Sequence, residues 1–534
     1  MRPGFKPFWR RSRPSEANFE GIRRIDVDWY ERAEVRFRLT DLRLLILLAL
    51  ARLVIHSITN GQYGFHRDEL AVLDDARNLA WGYVAYPPVT PLIARAALEL
   101  FGPSLIGVRF FSALAQCAAM VLAGMMTREL GGGRSAQVIA ALAVAIAPIS
   151  LIQGALFQYV SFDYLWWVLI AYLTIRLRKS ENPRWWLGIG LVIGVGMMTK
   201  YTVAFFAAGL AGGVLLTGAR RDLASLWLWG GAALSLLIFA PNLLWQAQND
   251  FISLDFLSSI RARDIAIGRT DGYLIEQFLV SANPVSIPLW VAGLYYLFFQ
   301  PSGARYRMLG WMYVIPFGLF LIAQGRSYYL APAYPMLIAA GAVLWEKWLS
   351  GLSLARARVA RGAAWGALAV GAAIYVPVML PIAPIQSDLW KFTSRMHDNF
   401  VEQIGWPDLV ETVADIYFAL PIDERSRTAV LTGNYGEAGA INLYGPAHGL
   451  PRAISGVNSY WLRGYGGSAP ETLIVLGYSR ESAERFFASC EPVGRVTNRY
   501  GVENQETRFH PDIFICRGPR QPWPALWRTL RSFN

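Results

Sequence analysis

The sequence predicts an α-helical polytopic membrane protein with about eleven transmembrane helices, followed by a C-terminal α/β domain outside the membrane. Of its 534 residues, 54% are hydrophobic and only 16% are charged, a balance too apolar for a water-soluble domain of this length. Apolar stretches of about 20 residues, the length that crosses a hydrocarbon core, recur from Leu42 to Pro381. Arginine and lysine fall in every second loop between these stretches, which fits the bias of basic residues toward the cytoplasm.

The first part of the chain sets the predicted orientation in the membrane. Residues 1–40 are rich in arginine and have no apolar core, so we expect a basic cytoplasmic tail rather than a signal peptide or a span. The transmembrane domain is then expected over 41–381. Its eleven predicted spans lie near 42–59, 104–127, 135–153, 162–177, 185–199, 201–217, 225–245, 284–300, 308–324, 332–349 and 363–381.

The basic loops support this orientation and argue against a nucleic-acid-binding protein. The net charge is +12, but the arginines are spread over short loops instead of forming one basic face, so no nucleic acid partner is expected. An odd number of spans from a cytoplasmic N terminus puts residues 382–534 outside. The basic residues of alternate loops are Arg128 and Arg134; Arg176, Arg178, Lys179 and Arg184; Arg220 and Arg221; Arg305 and Arg307; Arg356, Arg358 and Arg361.

Residues 382–534 have the composition of a soluble domain. The runs "TAVLTGNYG", "ETLIVLGYS" and "DIFIC" are typical of strands, and "RESAERFFASC" is typical of a helix. The segment "GNYGEAG" lacks the full dinucleotide-binding spacing, so its glycines are expected only to form a turn. Cys490 and Cys516 also lie here, and both a disulfide and two unpaired buried thiols are compatible with the sequence.

The predicted external loops carry the residues that point to chemistry. In the first of them, Asp68 and Glu69 closely follow a span, where an unpaired carboxylate is costly to bury. A partly desolvated carboxylate can accept a proton from a hydroxyl nucleophile, which predicts a catalytic role for Asp68. Glu69 fits that role and a solvated helix face equally, whereas Asp74 and Asp75 are expected on the solvated face. The three long external loops are 60–103, 246–283 and 325–335.

Two isolated cations near outer span ends indicate an anionic ligand. Lys200 interrupts a long apolar run, and Arg326 stands beside Tyr328 and Tyr329 at the end of a span. A cation with phenol donors suits a phosphate group. Both cations also fit a simpler interpretation, in which the side chain reaches the interface within an aromatic belt.

Further candidates are weaker individually. Arg269 lies in the second long external loop, where basic residues are disfavoured, and could face an anion. His66 adjoins the carboxylates, and Tyr86 belongs to the rigid "YPP" corner, so both are candidate substrate contacts. Asp163 could contact substrate, although a helix cap is the preferred interpretation. No zinc pattern or phosphate loop occurs, so no metal ligand is assigned.

The order of these motifs resembles a known family. Asp-Glu after the first span, the "YPP" corner, a "FGPS...R" entry to the second span, "TKY" at 199–201 and "GRSYYLAPAYP" at 325–335 resemble bacterial glycosyltransferase family 39, of the GT-C fold. That family includes protein mannosyltransferases and the aminoarabinose transferase that modifies lipid A. The resemblance covers roughly residues 40–350. No peptide-acceptor motif domain of the eukaryotic members is recognisable.

The resemblance implies sugar transfer from a polyprenyl-phosphate-linked donor to a glycan, lipid or protein acceptor. The reaction would occur on the outer face of a bacterial cytoplasmic (inner) membrane, among membrane lipids, as a step of cell envelope glycosylation. By this resemblance Asp68 is the general base or acceptor-positioning group, and Glu69 is its companion. Lys200, Arg326 and Tyr329 correspond to positions near the lipid phosphate. No cofactor is implied with certainty, and a divalent cation could assist.

A transporter or flippase of lipid-linked or anionic substrates is the competing class. Such proteins more often place ionisable residues in the middle of spans and contain related halves or broken helices. Here the charges cluster at outer span ends and no internal repeat is recognisable, so the sequence favours the enzyme. A structural scaffold would not explain Asp68, Lys200 and Arg326 on one side of the membrane.

Overall fold

The computed structural model describes residues 41–534, and residues 49–534 form one unit that contains every site discussed below. From Asp41 to Met379 the chain is mostly helical. The helices of this part are α1 (Asp41–Thr59), α2 (Arg67–Arg77), α3 (Val89–Phe101), α4 (Leu105–Glu129), α5 (Arg134–Ala145), α6 (Pro148–Ala155), α7 (Tyr159–Ser180), α8 (Trp185–Met197), α9 (Val203–Leu215), α10 (Leu226–Gln248), α11 (Ile252–Ala266), α12 (Tyr273–Glu276), α13 (Ile287–Phe299), α14 (Arg307–Ile322), α15 (Tyr334–Ser350) and α16 (Leu354–Met379). Short 3₁₀ or π segments cover Gly218–Ala224, Gln277–Ser281, Pro284–Ser286, Pro301–Tyr306 and Ser327–Ala333.

The number of possible membrane spans is lower than predicted. Within residues 41–534, six helices are long and apolar enough to cross a membrane, or up to nine if each bent pair of helices is one span. The count of about eleven is therefore not confirmed. One reason is that the predicted span near 135–153 is two helices, α5 and α6, which meet at an angle of 62°. Another is that α8 and α9 have only 13 residues each.

The apolar helices share one hydrophobic core. Buried side chains of α4, α5, α7, α9, α14 and α15 meet in it, and the pairs α8 with α10, α9 with α14 and α13 with α15 pack along each other. Where α8 meets α10, a Cβ at Gly190 would collide with the backbone of Gly231. The two glycines therefore let these backbones approach closely, as small residues do between membrane helices.

The tail after Met379 combines helices with one sheet. Its helices are α17 (Asp388–Met396), α18 (Trp406–Ala419), α19 (Ile422–Arg425), α20 (Tyr435–Tyr444), α21 (Ser459–Leu462), α22 (Arg480–Phe486), α23 (Gln505–Arg508) and α24 (Trp523–Thr529), with 3₁₀ segments at Asp398–Gln403 and Gly445–His448. Its strands are β1 (Thr428–Thr432), β2 (Ile454–Ser455), β3 (Thr472–Leu476), β4 (Phe487–Arg495) and β5 (Asp512–Pro519).

The five strands form a mixed sheet in the order β2-β1-β3-β5-β4. β1 runs parallel to β2 and β3, whereas β5 runs antiparallel to β3 and β4. Cys490 on β4 lies opposite Cys516 on β5, and the two form a disulfide. Three of the strands, β1, β3 and β5, lie in the runs that the sequence predicted. The domain boundary at 381/382 and the external location of the tail stay predictions.

The tail packs directly on the first loop. Leu70 and Leu73 of α2 share a hydrophobic core with Trp406, Val410 and other apolar residues of the tail. Helix α20 lies on α2 with little space between them, since a Cβ at Gly439 would stand 2.8 Å from Leu70. The prediction that the glycines of "GNYGEAG" only form a turn is therefore wrong. Two of them lie inside α20, where they permit this contact.

Candidate active site

Helix α2 presents the charged residues of the first loop, and its start is fixed by a capping box. His66 Nδ1 accepts a hydrogen bond from the backbone N–H of Asp68 at 3.2 Å, and Glu69 Oε2 accepts one from the N–H of His66 at 2.7 Å. Such reciprocal bonds satisfy donors that have no partner within the helix. His66 is 6% exposed and caps the helix that carries Asp68, and a contact between His66 and substrate stays a prediction.

Glu69 is held in a buried ion pair with Arg109 of α4. Arg109 donates from Nε to Oε1 at 2.9 Å and from Nη2 to Oε2 at 2.7 Å, and both side chains are 0% exposed. The N–H of Phe157 donates to Oε1 at 2.7 Å as well. Arg109 also donates to the side chain of Gln403 in the tail at 3.1 Å. A catalytic role for Glu69 beside Asp68 does not fit this burial, because its carboxylate oxygens are engaged by protein donors.

Asp68 is different, because its carboxylate is supported and still accessible. Its side chain is 34% exposed. Gln158 Nε2 donates to Oδ2 at 2.9 Å, and the Tyr435 phenol donates to Oδ1 at 2.7 Å. Each carboxylate oxygen has a second lone pair, so Asp68 keeps the capacity to accept a proton or a further hydrogen bond.

Asp74 and Asp75, at the other end of α2, are not on a solvated face. Both are 3% exposed, and Arg463 of the tail donates to both carboxylates. Burial raises the pKa of Asp75 to about 6, against the effect of Arg463. Tyr86 Oη donates to Asp75 at 2.5 Å and is itself 7% exposed, and a contact between Tyr86 and substrate stays a prediction. This end of α2 binds the tail.

Lys200 lies in a buried aromatic pocket rather than reaching the interface. Its Nζ is 4.2 Å from the ring centre of Tyr329 and 5.5 Å from those of Tyr159 and Tyr328. Asp163 Oδ2 lies 3.7 Å away, an ion pair too long for a hydrogen bond. Among residues 41–534, Lys200 Nζ has no hydrogen-bond partner, which leaves its three N–H groups available to an anion.

Asp163 does not cap a helix, contrary to the preferred interpretation of the sequence. Helix α7 begins at Tyr159 with Gln158 as its N-cap, so Asp163 lies in the second turn. It is 1% exposed and accepts hydrogen bonds from Trp167 at 3.1 Å and Thr202 at 3.0 Å. It therefore faces Lys200 from inside the protein, and a contact between Asp163 and substrate stays a prediction.

Arg326 is the second cation beside the same aromatic residues. It donates to Asp264 of α11 from Nε at 2.6 Å and from Nη2 at 3.0 Å, and from Nη1 to the Tyr328 phenol at 3.3 Å. Tyr328 interacts electrostatically with Arg326, Lys200 and Asp68. The structure thus brings the accessible carboxylate and both predicted cations around one phenol, although they are far apart in sequence.

Arg269 lies at the edge of this group. Its guanidinium is 3.9 Å from carboxylate oxygens of Asp264 and Asp398, and its side chain is 46% exposed, so it is accessible to a ligand. No cluster of three or more His, Cys, Asp or Glu side chains in residues 41–534 could hold a metal ion. The predicted divalent cation therefore has no assigned ligands.

Several residues of the site were not among the candidates that the sequence indicated. Arg109, Gln158, Asp264 and Tyr435 hold the predicted residues in place, yet none was selected as a candidate. A charged residue inside an apolar run was an available signal for Arg109, since such residues need a buried partner. Tyr435 gave no such signal, because it reaches Asp68 across 367 residues of sequence.

Comparison with known proteins supports this architecture. Residues 85–245 match the family model described as dolichyl-phosphate-mannose-protein mannosyltransferase. A 305-residue stretch is 27% identical to lipid A galacturonosyltransferase RgtD from Rhizobium johnstonii, covering 54% of this chain and 63% of that protein.

Two solved structures of ArnT from Cupriavidus metallidurans share the fold. The apo structure has a TM-score of 0.56 at 14% identity, and the structure bound to undecaprenyl phosphate has a TM-score of 0.52 at 17% identity. Each comparison covers 88% of this chain and 97% of the other. The chain is a membrane protein that shares its fold with ArnT, and the match of residues 85–245 to a mannosyltransferase family model agrees with the resemblance inferred from its motifs.

Proposed function

We propose that this protein transfers a sugar from a polyprenyl-phosphate-linked donor to an acceptor at the outer face of a bacterial cytoplasmic membrane. One observation carries the proposal. Of the four carboxylates on α2, only Asp68 has a side chain with substantial exposure, 34%, and it lies with Lys200 and Arg326 around Tyr328. A base next to cations is what a displacement that releases a phosphate requires.

The proposed reaction is a single displacement at the anomeric carbon. Asp68 accepts the proton of an acceptor hydroxyl while that oxygen bonds to the anomeric carbon. The bond from this carbon to the phosphate oxygen breaks, and its electron pair leaves with the polyprenyl phosphate. The sugar is inverted at that carbon, and Asp68 later returns its proton to water.

In this proposal the cations stabilise the negative charge of the leaving phosphate. The phosphate goes from a diester with one negative charge to a monoester that gains a second, so a preorganised cation lowers the barrier. Lys200 is the stronger candidate, because its ammonium has no hydrogen-bond partner in residues 41–534. Arg326 already uses three N–H groups on Asp264 and Tyr328, so it offers fewer donors. The phenols of Tyr328 and Tyr329, with Arg269, would complete the phosphate site.

Two similar proteins support the donor and acceptor classes. ArnT has been solved with undecaprenyl phosphate, a polyprenyl phosphate, and the Rhizobium relative is a lipid A galacturonosyltransferase by name. We propose a polyprenyl-phosphate donor by this analogy, and an acceptor that is a glycan, lipid or protein of the cell envelope. The match spans 63% of the relative's length, so its substrate is not carried over to this chain.

The test is release of polyprenyl phosphate by the purified full-length protein in detergent. A panel of radiolabelled polyprenyl-phosphate sugars is supplied with membrane extract as acceptor. We expect at least one donor to be consumed by the wild type, and Asp68→Asn to lower turnover about a thousandfold or more, since it removes the base. Asp68→Asn should insert and unfold like the wild type.

Two results would contradict the proposal. If Asp68→Asn retained turnover, Asp68 would not be the base and the proposed mechanism would be wrong. Uptake in sealed vesicles without consumption of any donor in detergent would identify a transporter instead, since only transport needs a closed compartment.

A further inference from the structure

Tyr435 ties the tail to the proposed base. It is the first residue of α20, and its phenol donates to Asp68 Oδ1 at 2.7 Å. Burial raises the pKa of Tyr435, and so does the nearby Asp68 carboxylate, so the phenol stays a proton donor at neutral pH. With Gln158 on the other oxygen, Asp68 is supported from α7 and from the tail at once.

The ring of Tyr435 is itself held firmly. The guanidinium carbon of Arg67 lies 4.9 Å from the ring centre, an arrangement that attracts a cation to an aromatic face. Arg67 is 8% exposed and lies 3.6 Å from each of Glu402 and Glu506, two carboxylates of the tail. Buried groups paired in this way have little freedom to move, so the phenol meets Asp68 in a fixed direction.

The backbone beneath Tyr435 is equally constrained. A Cβ at Gly436 would stand 2.8 Å from Trp406 and 3.0 Å from Arg67 Cβ, so α20 begins in close contact with the residue that precedes Asp68. Asn434 and Glu437 form a capping box at the start of the helix, which fixes where its first residue lies.

We infer that Tyr435 is a positioning residue of the active site: its hydrogen bond holds the Asp68 carboxylate in the orientation that the reaction needs. The tail would then complete the catalytic machinery instead of serving only to recognise the acceptor. This inference rests on the proposed function, because it assigns Tyr435 a role through Asp68.

The test is a pH–rate profile of the full-length Tyr435→Phe variant with the donor found above. A hydrogen bond to a charged group is lost, so we expect kcat to fall about tenfold. The carboxylate also loses a donor that favours its charged form, so the acid limb of the profile should move up by about one pH unit. KM for the donor should not change, because Tyr435 contacts the protein and not the lipid.

Two further variants distinguish a positioning role of Tyr435 from a general effect on the stability of the protein. Tyr417→Phe removes a phenol of the same tail that donates to the carbonyl of Arg425 at 3.2 Å, and should keep the wild-type profile. Replacement of Tyr435 by 3,5-difluorotyrosine keeps the shape and makes the phenol a stronger donor, so its acid limb should move to lower pH. This protein also tests the inference if Tyr435→Phe does not fold.

The outcomes distinguish this inference from the proposed function. If Asp68→Asn is inactive while Tyr435→Phe and the fluorinated protein both keep the wild-type acid limb, the positioning role is wrong and the proposed function stands. If Asp68→Asn keeps its activity, the proposed function fails first. Opposite shifts in the two Tyr435 proteins would establish the positioning role.

Discussion

The two ends of helix α2 carry the same chemical groups and use them differently. At the N-terminal end Asp68 is 34% exposed, whereas its neighbour Glu69 is 0% exposed and bound to Arg109. At the C-terminal end the side chains of Asp74 and Asp75 are 4% and 5% exposed and bound to Arg463. A carboxylate of α2 therefore has a structural role where a buried cation binds it. It remains available to react with a substrate only where neutral donors hold it.

The largest expected difference between the carboxylates of α2 is in their contribution to the stability of the folded protein. Glu69→Gln leaves Arg109 charged and buried without its partner, which costs about 3–5 kcal/mol. Asp68→Asn should change the free energy of unfolding by less than about 1 kcal/mol, since its site is partly exposed. Thermal unfolding in detergent compares the two variants.

A double variant sharpens that result. Glu69→Gln with Arg109→Met removes both charges and should recover part of the lost stability, because no charge is left buried alone. A Glu69→Gln protein that unfolds at the wild-type temperature would show that the pair is not structural.

The next effect concerns the cation side of the site. Lys200→Met should lower turnover about a hundredfold, because a group that stabilises the developing phosphate charge is lost. It also leaves the buried Asp163 unpaired, so Lys200→Met with Asp163→Asn serves as the control. If Lys200 binds phosphate, the double variant folds well and stays slow; recovered turnover in it would mean that the lysine only neutralises Asp163.

The smallest effect is a dependence of stability on pH where the tail meets α2. Burial, with Glu506 nearby, raises the pKa of Glu437 to about 8, well above the usual range of a glutamate. The folded protein therefore favours the protonated side chain of Glu437. The stability that this protonation contributes falls as the pH rises toward about 8 and is lost above that pH.

The expected loss from about pH 6 to about pH 8 is about 2 kcal/mol. Glu437→Gln does not titrate in either state, so it should not show this loss, and its stability relative to the wild type should rise by the same amount over the interval. Unfolding temperatures measured across this range check the prediction. A wild type whose stability rises over the same interval would contradict it.

The sequence predicted the parts of the fold that follow from local pattern. Apolar length predicted most helices before Pro381, and strand-like runs predicted β1, β3 and β5. The span count went wrong where helices bend or are short, as at α5 and α6, because hydropathy does not report a change of direction. Strand β4 was missed, since "FASCEPVGR" carries a proline and charges and is only partly buried.

Only the site residues that carry an isolated charge beside apolar sequence were predictable. Asp68, Lys200 and Arg326 were found because an isolated charge next to apolar sequence is costly and needs a reason. Their partners were not found, since Arg463 is separated from Asp75 by 388 residues and Tyr435 from Asp68 by 367. No local pattern encodes such pairs, and without them Asp74 and Asp75 looked like solvated residues and Glu69 looked equal to Asp68.

The central claim is that Asp68 acts on the substrate while its neighbour on α2 holds the fold. The most direct test is the rate of polyprenyl phosphate release per folded molecule, measured side by side for Asp68→Asn and Glu69→Gln. We expect Asp68→Asn to be fully folded and inactive. We expect the Glu69→Gln molecules that do fold to retain a substantial rate of polyprenyl phosphate release. Activity in folded Asp68→Asn, with none in folded Glu69→Gln, would contradict the central claim and make Glu69 the base.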